Sequence, residues 1–434
     1  MDSWWQGSTR IASLVGLRIS FGGMMVLAIL RFLLKGWVHA LYVDPVFHFT
    51  YFGFGWVKPL SAEGMYAVFA VLLVCASLIT VGLFYRWAAL LFFLLFTYVE
   101  LIDVATYLNH YYLVSLLALL LCFVPAHRSF SLDVHWRKLP AVVEVPLVWL
   151  RAVQVQLALV YFFAGIAKIN GDWLLQAQPL RIWLHARSDL PVIGPLLQQE
   201  LIAFVASWTA MVFDTTIAFF LFWRRTRTAA YIVALIFHLL TAVLFPGIGM
   251  FPFIMALAAL VFLPPGWHEW ALRWIGWVPS AGALVEEKFR RTRFIIGLWF
   301  AVQVLVPLRY LCYPGKLFCN EEGYRFSWRV MLMEKAGAVY FTLRDPATGL
   351  VYSVNNRHYL TALQENQMST QPDLILQFAH HLRDHNLQAI VRPAVFADAH
   401  VTVNGHGSRP FVDPTVDLAM QRDGFAHKTW VRDE

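Results

Sequence analysis

PLVWLRAVQVQLALVYFFAGIAKINGDW, residues 146–173, decides the fold. From Pro146 to Ile169 the run is almost wholly apolar. At about 1.5 Å per helical residue it is long enough to cross a hydrocarbon layer of roughly 30 Å. Working outward, runs of the same kind recur at Ile11–Leu34, Gly64–Tyr85, Trp87–Asp103, Thr106–Pro125, Leu201–Trp223, Thr228–Leu244, Gly249–Leu263 and Phe294–Cys312. So many cannot share one soluble core. Composition agrees: 59% of the 434 residues are hydrophobic and 14% charged, against about 25% charged in an ordinary soluble domain. The runs stop near Tyr313. The segments DPATG, QENQMSTQPD, HLRDHN and VNGHGSRP that follow have the composition of water-exposed turns. The expected fold is a polytopic α-helical membrane protein of about nine transmembrane helices (residues 1–312), closed by a C-terminal α+β extracytoplasmic domain (residues 313–434).

The first run reads as a span and not a signal peptide, because it is long, lacks a small-residue cleavage site and carries Arg18 and Arg31. The third and fourth runs are joined by so few residues that they form a tight hairpin. Alternating loops collect Arg10, Arg86, Arg128, Arg137, Lys138, Arg224, Arg225, Arg227, Arg273, Lys288, Arg290 and Arg291 on one side. The other side receives Lys35, Lys58, Arg181 and Arg187. The richer side is expected in the cytoplasm, together with the N-terminus, and the C-terminal domain outside it. The net charge of +7 is mostly this bias, and no nucleic-acid partner is expected. Trp87, Trp173, Trp223 and Trp267 suit interfacial belts. In the tail, AVYFTLR and LVYSV flank Asp-Pro-Ala-Thr-Gly as a hairpin. Pro372 to Leu382 has helical spacing through Leu374, Ile375, Phe378 and Leu382, and AIVRPAVFAD and HVTVNG read as further strands.

Ionisable groups inside a bilayer are costly and default to function, with pairing or snorkelling as the plain alternative. Lys168 lies at the outer end of the fifth span, Asn109 and His110 at the outer end of the fourth, and His238 past the midpoint of the seventh. Asp214 falls mid-span in the sixth as a partner for an arginine, with no assigned role. Lys168 is either a snorkelling cation or a desolvated amine able to act as a base, with Gly165 leaving room beside it for a ligand or a helix. His110 and His238 are either hydrogen-bonded core histidines or members of a site. No HExxH, CxxC, P-loop or GxSxG sequence occurs. Zinc hydrolysis, nucleotide binding and serine chemistry therefore have no support, and no metal is expected. Cys75 and Cys122 fall within spans. Cys312 and Cys319, seven apart around Pro-Gly, either close a small disulfide loop or stay as thiols.

Several segments in order resemble the vitamin K-dependent γ-glutamyl carboxylases and their bacterial relatives, the horizontally transferred transmembrane-domain family. Leu-Asn-His-Tyr-Tyr-Leu (108–113) with AHRSFSLD, YFFAGIAKINGDW (161–173) and FHLLTAVLFPGIGMFPFIM (237–255) are similar to its membrane motifs. VQVLVPLRY, GYRFSWRVMLMEK, VDPTVDL and KTWV resemble the rest of its body, so the likeness covers nearly the whole chain. It implies an enzyme of the carbon–carbon lyase class that couples epoxidation of vitamin K hydroquinone (a reduced menaquinone or phylloquinone), with O2 and CO2 as co-substrates, to carboxylation of a protein glutamate. By the same resemblance, Lys168 is the initiating base and His110 its partner. Asn109, His238 and Tyr324 are expected on the substrate and quinone side. The partners expected are a glutamate-containing protein or peptide reached from outside the cytoplasm, and the bilayer. Two departures stand out. Ala167 precedes Lys168 where animal enzymes have two lysines, and Met333 replaces a substrate-side histidine. The chain closes before the longer lumenal part of the animal enzymes, so propeptide recognition in their manner is not expected. The competing readings are an epoxidase without carboxylation, a non-enzymatic quinone- or lipid-binding membrane protein and, third, a transporter.

Overall fold

The computed structural model describes residues 2–277, 283–284, 289–386 and 388–432; Lys288 and Glu434 lie outside them. Ten helices carry the membrane region in the order α1 (Ala12–Leu34), α2 (Ala62–Val81), α3 (Tyr85–Ile102), α4 (Asn109–Phe123) and α5 (Leu147–Ala167). Then follow α6 (Glu200–Phe222), α7 (Arg227–Leu244), α8 (Phe251–Ala258), α9 (Pro265–Trp274) and α10 (Phe289–Leu308). Seven helices among the described residues are long and apolar enough to cross a membrane. Two of the nine or so expected spans take another form. The fourth is a 15-residue helix. The eighth is broken: α8 tightens into a 3-10 turn, Ala259–Phe262, and the chain turns by 113° into α9. Pro264 and Pro265 cause the break, since a residue before proline is driven out of the helical region and Pro265 restarts a helix at its first turn.

A small sheet, unforeseen in the sequence, gathers one end of the bundle. β1 (Ser8–Arg10) pairs antiparallel with β2 (Val142–Pro146), which pairs parallel with β3 (Ala283–Leu284). It holds the starts of α1 and α5 beside the chain that leads into α10. Arg10 clamps Glu269 of α9 through both carboxylate oxygens at 2.8 Å, which fixes α9 at this same end. The broken α8 has therefore carried the chain across. Arg18, fully buried in α1, is tolerated because it donates to Ile79 O, Thr80 O and Phe130 O at 3.1, 2.6 and 2.5 Å. The first two are carbonyls of the last turn of α2, where Ile79 O otherwise accepts only from the capping Gly82 N at 3.2 Å. Between α5 and α6 the approach is closer still. A Cβ on Gly165 would sit 2.4–2.8 Å from Thr215 atoms, backbone included. The space beside Lys168 is thus taken by the neighbouring helix and not by a ligand.

At the other end stands the C-terminal domain. β4 (Lys335–Arg344) pairs with β5 (Val351–Ser353) as the expected hairpin, and with β6 (Ala394–Val403); β6 pairs with β7 (Arg409–Pro410). The two strands expected at AIVRPAVFAD and HVTVNG are one continuous strand, β6, whose alternate residues Val395, Ala397, Ala399, Val401 and Val403 all face inward. Helices α11 (Ala362–Met368) and α12 (Pro372–Asp384) cover the sheet. Leu374, Ile375, Phe378 and Leu382 are fully buried, each contributing about 2 kcal/mol by leaving water. Phe49, Val104 and Ala105, from connections between membrane helices, join this core. Gln364 Nε2 fastens it further, donating to Phe47 O and Asp103 Oδ2, both at 2.7 Å.

Candidate functional site

Lys168 follows directly on α5. The helix stops there because Asn170 caps the next short helix, its Oδ1 accepting from Trp173 N at 3.0 Å. The lysine side chain folds back along α5 and is buried. Its Nζ donates to Asp214 Oδ2 of α6 at 2.8 Å and to Ala164 O at 3.2 Å. It also lies 5.2 Å from the centre of the Trp173 ring. The expected arginine partner of Asp214 is replaced by this lysine, and Lys168 does not snorkel. The close Gly165–Thr215 contact is what brings α6 near enough for the pair to form.

The pair opens on a cavity of about 550 Å³, mostly apolar, that is also lined by Tyr161, His238, Phe251 and Met331. His238 Nε2 and the Tyr161 hydroxyl are 2.7 Å apart. His238 Nδ1 is buried without a hydrogen-bond partner. Few polar groups converging in an apolar cleft are what a lipid-soluble ligand with a polar head requires.

His110 does not line this cavity. Its ring packs 6.1 Å from that of Phe251, on the far side of α8, and 4.7 Å from Tyr111. Asn109 and His110, expected at the same outer end as Lys168, thus lie outside its cavity: Lys168 and His238 share it, and His110 stands one ring behind. The reason is α8, which enters the bundle between them. Met250 and Ile254 beside it face a second cavity, of about 800 Å³, lined also by Arg31, Glu100, Tyr107 and Tyr111.

Asn109 and Tyr107 hold a segment of chain and not the lysine. Asn109 Nδ2 donates to Arg329 O at 3.2 Å, and the Tyr107 hydroxyl accepts from Phe326 N at 2.8 Å and donates to Asn109 Oδ1 at 3.1 Å. That segment is strained, with φ of +59°, +58° and +49° at Phe326, Trp328 and Met331, costing about 1 kcal/mol or more each. It delivers Val330 and Met331 into the cavity wall. Tyr324 packs at its start, in the cluster around Trp173, Leu180 and Leu332. Met333 is not part of the cavity lining. Cys312 is exposed and Cys319 buried, with no bond between them; Arg409 donates to Cys319 Sγ at 2.8 Å.

Asp214 is the residue that sequence reasoning singled out but gave the wrong partner and no role. The signal was present: it is an acid deep in an apolar run, on the span that follows the lysine. Without the helix contact, nothing marked the two as partners.

The HTTM domain family matches residues 7–267, and the lumenal domain of vitamin K-dependent gamma-carboxylase matches residues 288–434. No solved structure matches the chain. With the membrane bundle falling to one of these families and the sheet-bearing domain to the other, the chain belongs to the HTTM-domain proteins of the vitamin K-dependent γ-glutamyl carboxylase family.

Proposed function

We propose that the chain is a vitamin K-dependent γ-glutamyl carboxylase, with Lys168 as its base and the cavity around it as the site of a reduced naphthoquinone. The observation that carries this reading is the buried Lys168–Asp214 pair, 2.8 Å long, facing an apolar cavity. The residues present fit such a ligand: ring-bearing walls suit a flat aromatic head and an isoprenoid tail, and His238 Nδ1 is a buried polar atom in want of a partner. When bound, the reduced quinone supplies with O2 the strong base that takes the γ-proton from glutamate, whose carbanion then adds to CO2.

Lys168 Nζ is the proton acceptor for a hydroxyl held in the cavity. To act so it must first be free of its own third proton, and Asp214 Oδ2 is the acceptor within reach. The pair thus stores and passes a proton without exposing charge to lipid. His238, oriented by Tyr161, holds the polar head. The aromatic and aliphatic walls exclude water that would quench a strong base. His110 is a positioning residue acting through Phe251. Asn109 acts likewise, by fastening the segment that carries Met331, and Tyr324 by packing at that segment's root. The glutamate substrate reaches the site from the side of the C-terminal domain, which lies outside the cytoplasm.

The deciding experiment gives the purified protein reduced vitamin K, O2 and labelled CO2 with a glutamate peptide. Epoxide and labelled peptide are expected, and formation of neither product rejects the reading. Met333, standing where the resemblance implies a histidine, favours a second reading in which epoxide forms without labelled peptide.

A further inference from the structure

The cluster of cations at the junction of bundle and C-terminal domain has no part in the lysine cavity. A groove of about 1310 Å³ runs beside it, bounded by the end of α5 and by the domain, and lined by Lys316, Arg329, His406 and Arg409. Lys316, Arg329 and Arg409 form no ion pair with a carboxylate among the described residues. Arg329 is 8% exposed, its guanidinium lies 4.3 Å over the Tyr310 ring, and its Nε is buried with no hydrogen-bond partner. Asp172 is the one acid in the lining, and it is occupied: Asn404 Nδ2 donates to one oxygen at 2.8 Å, and His406 Nε2 lies 3.1 Å from the other. Arg329 is the buried member, and a buried cation with no acid beside it is costly unless an anion completes it, while Arg409 and the exposed Lys316 add charge along the same concave surface.

We propose that this groove binds carboxylate side chains of an acidic peptide, in addition to the glutamate that reacts. The proposal rests on the carboxylase reading above for its choice of partner. Ile166, Ala167 and Ile169 line the groove, so a peptide seated there lies one helix end away from Lys168. The cations recruit a segment bearing several acids, and their arrangement selects carboxylates over amides of equal size, because only the charged form repays desolvation of the guanidinium groups.

The test is equilibrium binding of a fluorescent peptide with several glutamates to the full chain in phosphatidylcholine nanodiscs, read by anisotropy. The same peptide with glutamine at those positions serves as comparison. The glutamate peptide is expected to bind and to weaken with salt, and the glutamine peptide to bind at least about tenfold more weakly. Arg409→Gln and Lys316→Gln should each raise the Kd about fivefold to tenfold, while Arg409→Lys keeps most of the affinity. Lys316 is exposed, so its variant carries no folding risk. Equal binding of both peptides, or unchanged affinity in both glutamine variants, overturns the groove. So does loss of peptide binding in phosphatidylglycerol nanodiscs, which assigns the cations to lipid headgroups. Because binding is read without turnover, failure here leaves the Lys168 reading standing, and an inactive lysine site leaves the groove standing.

Discussion

Desolvating an ammonium and a carboxylate together costs several kcal/mol before their attraction is counted, so a buried ion pair is weak evidence for stability. The Lys168–Asp214 pair is better explained by proton handling, and its variants separate the two roles. Lys168→Ala should lower epoxide formation by about 10²–10⁴-fold while quinone binding, followed by fluorescence titration, changes little. Lys168→Arg should not restore turnover, since a guanidinium stays protonated; full activity in that variant would reduce the residue to a positive charge. Asp214→Asn leaves the lysine without its acceptor and should lower both turnover and thermal stability, the latter by about 3 kcal/mol. The double change Lys168→Met with Asp214→Leu should recover the stability without the turnover. Gly165 supports the pair from behind. Gly165→Ala would drive a methyl to within 2.4–2.8 Å of Thr215, so the midpoint of thermal unfolding in detergent should fall, by roughly 1–3 kcal/mol in stability terms.

Arg325 and Asp373 join the strained Tyr324–Met331 segment to α12, and the pair gives the domain a pH dependence. Burial pushes the Asp373 carboxyl up, but the Arg325 guanidinium, bonded to it at 2.5 and 3.2 Å, more than reverses this and holds it below its ordinary value. A depressed carboxyl stabilises the fold above its unfolded-state pKa of about 4, and loses that contribution as pH falls through the folded-state value. Asp373→Asn should therefore lower the unfolding midpoint of the domain at pH 7, with wild type and variant drawing together as the pH falls through the depressed folded-state value; a gap that stays constant as the solution is acidified would refute the linkage. At this scale the sequence was informative wherever one element sufficed. The apolar runs gave the helices, the period of Leu374, Ile375, Phe378 and Leu382 gave α12, and Asp-Pro-Ala-Thr-Gly gave the β4–β5 hairpin. It was silent where pairing decided: β1, β2 and β3 are too short to show alternation and exist only through one another. AIVRPAVFAD and HVTVNG read as two strands, and that Asp398 and His400 lie on the outer face of one strand shows only once β6 pairs with β4 along its whole length. The site divides the same way. Lys168 and His238 carried their own signals, while Asp214 and the retreat of His110 behind Phe251 depended on how three helices cross.

Across the whole molecule, the two ends of the bundle differ in what they carry, and that difference fixes the last prediction. The end gathered by the three-stranded sheet holds the starts of α1 and α5, the Arg10–Glu269 clamp, and the Trp277 indole donating to Ser129 Oγ at 3.1 Å. The opposite end holds the C-terminal domain and Lys168. Charge separates them too: Arg86, Arg128, Arg137, Lys138, Arg224, Arg225 and Arg273 belong to the sheet end, and such an excess in short loops marks the cytoplasmic face. On that basis the C-terminal domain is expected outside, with the broken α8 counted as a crossing. If α8 instead returned to the face it left, α10 would begin at the domain's end and the β2–β3 pairing could not form. Cysteines introduced at Ala347, in the exposed β4–β5 turn, and at Arg225, in the exposed α6–α7 loop, test this directly. A membrane-impermeant maleimide on intact cells should label Ala347→Cys at once and Arg225→Cys only after permeabilisation. The reverse pattern would place the lysine cavity in the cytoplasmic leaflet, away from any substrate presented outside. Labelling of both sites on intact cells would show that α8 does not cross.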